Sequence, residues 1–142
     1  MPLTTAQIAL LDQLLADGFA TRTTAILGGK VEVIINSMTA GDQLLVESYM
    51  KNMEGSPAFV VHTYSIKLLA QVLKQFHIIG KDPVVFKTPD EAETFLKTRP
   101  TTTVDAIIEA HGKFEKELRQ LAIAEDLEAN FTETPSPAPA QS

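Results

Sequence analysis

The sequence predicts a mainly α-helical α+β domain, with about five helices around one hydrophobic core, a small β-hairpin and a disordered C-terminal tail. Apolar residues recur at helical spacing behind capping residues over most of the chain. Two β-branched runs flank the paired glycines Gly28 and Gly29. From about Asn130 onward, proline alternates with small polar residues. A chain of 142 residues can bury one real core and rarely two. Residues 1–129 therefore read as a single mainly helical domain and 130–142 as a Pro/Ala/Ser-rich tail too poor in apolar side chains to fold.

The first helix places Ile8, Leu11, Leu14 and Leu15 on one face behind Thr4 and Thr5, and Gly18 stops it. Thr23 to Leu27 and Val31 to Ile35 then form the hairpin, because paired glycines supply the positive φ angles of a tight turn. The imperfect alternation of Val31, Glu32, Val33, Ile34 and Ile35 predicts a strand partly covered on both faces. Thr39 with Asp42 three positions on opens the second helix, whose face runs through Leu45, Tyr49, Met50 and Met53 to a stop at Glu54 and Gly55.

Ser56 and Pro57 open the third helix, expected to run to Phe76. Its polar residues Thr63, Lys67, Gln71 and Lys74 fall at steps of four, four and three, a narrow wet stripe on an otherwise apolar surface. A helix so apolar belongs in the middle of a domain or oligomer. Val84, Val85 and Phe86 are expected to pair locally with Ile78 and Ile79 across a turn at Lys81, Asp82 and Pro83. Thr88, Pro89, Asp90 and Glu91 start a brief fourth helix that ends before Pro100. The fifth begins in Thr101 to Thr103 and carries Val104, Ile107, Ile108, His111, Phe114, Leu118 and Leu121 on one stripe. Glu109 with Lys113, and Glu115 with Arg119, are four apart and support its exposed face.

Composition narrows the function. A formal charge of −6 with scattered Arg22, Arg99 and Arg119 opposes nucleic-acid binding. The lack of cysteine removes disulfides, thiol nucleophiles and thiolate metal sites, and fits a reducing compartment. Met1 to Leu15 reads as an amphipathic helix rather than a signal peptide, and no apolar run is long enough to span a bilayer. No cofactor, no metal and no membrane partner are expected.

The candidate chemistry is thin. His62, His77 and His111 read as structural or surface residues, His111 sharing a stripe with Ile107 and Phe114. Asp90, Glu91 and Glu93 are the acids that a helix N-terminus favours, not a metal cluster. Gly28, Gly29 and Lys30 lack the rest of a phosphate loop. No serine has the setting of a nucleophile, so no catalytic residue is expected and the chain reads as non-enzymatic. Apolar excess is the outstanding feature. Met38, Met50 and Met53 with Phe59 and Tyr64 cluster around the second and third helices. Such residues commonly just fill a core, but methionine also adapts to varied partners, so Met50, Met53, Phe59 and Tyr64 are the candidate protein-binding residues, for a hydrophobic client helix or a second copy of the chain.

The order of elements resembles the tail assembly chaperones of long-tailed bacteriophages and the related baseplate hub assembly chaperones. The likeness spans roughly residues 23–121. It rests on the hairpin Leu27 to Val33, the helix start Met38 to Asp42, Ile66 to Ala70 leading to Phe76 to Gly80, Thr88 to Leu96, and Val104 to Ile108. The resemblance implies a non-enzymatic protein in the host cytoplasm that binds a tape-measure or hub protein during assembly. A structural component of the tail or baseplate is the alternative.

Overall fold

The computed structural model describes residues 2–133 and their side chains as far as residue 123. The elements are α1 (Thr5–Asp17), β1 (Thr21–Ile26), β2 (Val31–Asn36), α2 (Ala40–Met50), α3 (Pro57–Val72), β3 (Leu73–Ile78), β4 (Val84–Val85), α4 (Pro89–Lys97) and α5 (Thr101–Glu133). This is the expected α+β fold. The tail expected from residue 130 falls on the last residues of α5 and on 134–142, and the latter lie outside the described residues.

Local chemistry sets most boundaries. Thr4 and Thr39 each close a capping box, with Gln7 and Asp42 respectively, and Ser56 and Thr88 cap helices that open on proline. Gly18 ends α1 in the left-handed conformation at φ 81°. The turn between β1 and β2 holds Leu27, Gly28 and Gly29 at φ 54°, 69° and 82°, so the two glycines take the conformation they are suited to.

The β component is larger than the hairpin. Four antiparallel strands run in the order β1-β2-β3-β4. The third helix therefore does not reach Phe76. It stops at Val72, where the Leu73 N–H bonds to the Leu69 carbonyl, and the chain turns directly into β3. Pairing overrides helical periodicity here, because β2 would otherwise lack a neighbour on one side. The local pairing of Val84 and Val85 forms in a different register, opposite Phe76 and Gln75. The Ile78 carbonyl accepts the Lys81 N–H at 2.9 Å and the Ile79 N–H bonds to the Lys30 carbonyl, so these groups are already taken up by the turn and by the end of β2.

One face of the sheet builds the core. Val31, Val33 and Ile35 of β2 are buried and Glu32, Ile34 and Asn36 half-buried, the partial cover on both faces that the sequence implied. Phe76, Leu73, Leu69 and Val72 join them from β3 and α3, Leu96 from α4, and Ile107 and Phe114 from α5. Phe95 stacks tilted against Phe76 and Phe86 at 4.9 and 5.1 Å. Arg22 fastens α5 to β1, with two 2.7 Å bonds to Glu117 while its guanidinium lies over the Phe114 ring at 4.6 Å. Among the described residues no helix is long and apolar enough to cross a membrane.

Candidate functional site

α3 is divided along its length. Leu69, Ala70 and Val72 at its C-terminal end are core, whereas Phe59 and Val61 at its start are 53% and 60% exposed. The expected central helix is thus central for half its length only. α2 packs on the free half and buries a single residue, Val46, leaving Leu44, Leu45 and Tyr49 open. The two helices form a hairpin whose outer apolar side chains, Leu44, Leu45, Tyr49, Phe59 and Val61, are exposed.

Between them lies a groove of about 620 Å³. Leu44 and Met50 line it from α2, and Val60, Val61 and Tyr64 from α3. Glu47, Ser48, Lys51 and Ser65 complete its lining with polar groups. Of the residues expected to bind protein, the structure brings Met50 and Tyr64 together in this groove. Met53 is half-buried outside it, past the end of α2, its N–H on the Met50 carbonyl at 3.0 Å. Phe59 is also outside the lining, with its ring over Gly55 so closely that a Cβ there would stand 2.8 Å from Phe59 Cδ2. Leu44, Val60 and Val61 were missed. The doublets Leu44, Leu45 and Val60, Val61 were the available signal, since adjacent helical residues point about 100° apart and a doublet widens the apolar face.

The base of the hairpin is tied down electrostatically. Lys67 is not part of a wet stripe: it reaches Glu93 of α4 at 3.0 Å and lies 4.9 Å from the Tyr49 ring centroid. Lys97 joins Glu93 at 2.8 Å. Burial pushes the Glu93 carboxyl up, but the bonds and charges of Lys97 and Lys67 outweigh it and hold the carboxyl below its ordinary value. Ahead of α2, the Met38 N–H donates to Glu115 of α5. Glu115 therefore faces inward, not toward Arg119 on an exposed face, and its Oε2 lies 3.0 Å from Nε2 of buried His111. The four-residue step from His111 to Glu115 was the signal for this contact. Burial raises the Glu115 carboxyl, but the adjacent His111 ring, the bond from the Met38 N–H and the charge of Arg119 prevail, and it is held low. Lys113 and Glu109 do pair in the open, at 3.6 Å.

The remaining candidates do other work. His77 lies on β3 rather than on a helix, bonded through Nε2 to the Lys81 carbonyl at 2.8 Å, and His62 is exposed on α3. Asp90 and Glu91 occupy the first turn of α4, where Glu91 accepts the Lys87 N–H. Among the described residues no three of His, Asp or Glu gather to hold a metal ion. Such an arrangement can bind an apolar helical surface: two ridges of aliphatic and aromatic side chains flank a trough with a polar margin. Compared with protein-family models, with curated proteins and with solved structures, the chain matches none.

Proposed function

We propose that the chain is a non-enzymatic binding protein whose α2–α3 hairpin receives the apolar face of a client helix. On the resemblance described above, that client is a tape-measure or baseplate hub protein, held during tail assembly in the host cytoplasm. The observation behind this reading is the apolar groove lined by Leu44, Met50, Val60, Val61 and Tyr64, on helices that share one tethered base. Exposed apolar patches of this kind mark interaction sites, because burying them on a partner returns the hydrophobic free energy that folding left unused. Met50 adapts its shape to irregular client side chains.

Coexpression of the chain with tagged tape-measure and hub proteins, followed by pull-down, tests the reading. Wild type is expected to co-purify with one of them, and a folded double variant Met50→Lys, Val61→Glu is expected to be lost. Equal recovery of both would remove this groove as the site. Recovery of the chain from purified, washed particles would favour the structural virion component.

A further inference from the structure

The two edges of the sheet differ in what they leave unpaired. The Ser37 N–H bonds to the Ala20 carbonyl at 2.7 Å, and from there the pairs Arg22 with Ile35, Thr24 with Val33 and Ile26 with Val31 alternate as the hydrogen-bonded ones. The N–H and C=O of Thr21, Thr23 and Ala25 consequently point away from the sheet. Gln13 Oε1 accepts the Thr21 N–H at 3.1 Å. Among the described residues nothing takes the main-chain groups of Thr23 or Ala25. On the other edge, β4 has only the two residues Val84–Val85 with Pro83 just before them, so a single outward residue remains. Shortness, proline, lysine and bulges are the devices that protect edges. β4 has two of them. β1 has none of these four: it is six residues long in unbroken register, without Pro or Lys, its one charge, Arg22, is held by Glu117, and α1 covers only its first residue, through Gln13.

Beside this edge, β1 and α5 enclose a gap of about 330 Å³. Arg22, Thr24 and Ile26 line it from the strand side, and Glu109, Ala110 and Glu117 from the helix, so its walls carry charged as well as small apolar groups. Ala106 and Ala110 are one turn apart, and their small side chains leave the space open. We propose that β1 and α5 form a second binding site, for an extended polypeptide segment that adds to β1 as a fifth strand. Its main chain meets Thr23 and Ala25, and its alternate small side chains enter the gap.

A second copy of the chain does not fit this edge. An antiparallel pair of β1 strands places a two-fold axis about 2.4 Å outside each strand. α5, packed on β1 through Arg22, Phe114 and Glu117, would have its own copy on the same side of the sheet, and an α5 centred over β1 would lie closer to that copy than the roughly 8–10 Å at which helices pack.

The test uses the full-length 15N-labelled chain and the capped heptapeptide Lys-Val-Thr-Ala-Thr-Val-Lys. Amide exchange at Thr23 and Ala25 is expected to be fast in the free protein and to slow at least about tenfold at saturating peptide. Thr23→Pro removes the outward N–H without touching an inward bond, and Ala110→Phe fills the gap without touching the strand. Each is expected to abolish the protection while retaining the melting temperature. Met50→Lys, Val61→Glu is expected to leave it intact, which separates this site from the α2–α3 groove. Unchanged exchange with peptide, protection that survives both variants, or concentration-dependent protection without peptide in a particle of dimer mass would each overturn the proposal.

Discussion

Replacing Leu69 and Val61 separately by small residues measures the division of α3 directly. Leu69 is 1% exposed, in contact with the β2 and β3 core, so Leu69→Ala deletes buried aliphatic groups and leaves a cavity. Such changes destabilise by about 2–5 kcal/mol, the spread reflecting how far the site collapses. For a domain of this size that is a fall of roughly 8–20 °C in melting temperature. Val61 sits two helical turns earlier and is 60% exposed, with only part of its side chain removed from water. Val61→Ser should therefore cost no more than about 0.5 kcal/mol. Urea denaturation of the two variants, at matched slopes, gives the comparison. Equal losses would refute the division, since Val61 would then be core and the groove would not be free.

Gly55→Ala should destabilise by about 1–3 kcal/mol, because Gly55 has φ 138° and a Cβ would strike Phe59; a neutral effect in thermal unfolding would contradict that turn geometry. Glu115 has a lowered folded-state pKa, so its stabilising contribution is complete above the ordinary glutamate range and is lost as pH falls through the lowered value. Urea midpoints followed from neutral to acidic pH should therefore fall less steeply for Glu115→Gln than for wild type, and parallel curves would contradict the assignment. Arg22→Ala should cost about 1 kcal/mol or less, because the side chains of Arg22 and Glu117 are 31% and 45% exposed and solvent screens the pair. A loss of several kcal/mol in chemical denaturation would mean that the contact is shielded far better than its exposure implies.

Local signals were legible in the sequence and long-range ones were not. Thr4, Thr39, Ser56, Pro57, Thr88 and Pro89 announce helix starts because capping is settled within four residues. Gly28 and Gly29 announce the hairpin for the same reason. Leu73 to Ile78 could not be recognised as a strand, since the partner that makes it one lies some forty residues earlier in β2. Apolar excess in α3 was legible too, but which half would be free depends on where α4 and α5 pack. Met50 and Tyr64 emerged from the sequence because they are apolar residues on adjacent helices, while the placement of Phe59 over Gly55 depends on a turn conformation that no spacing rule encodes.

Methionine methyl NMR tests the binding account most directly. The sequence has four methionines, and three of them report on distinct places: Met50 in the groove, Met53 just outside it, and Met38 packed against the core ahead of α2. Titrating the ε-13C-methyl-labelled chain with the tape-measure or hub client should shift Met50 strongly and Met53 weakly while Met38 stays in place. A client that binds while Met50 remains unmoved would contradict the α2–α3 groove as its site.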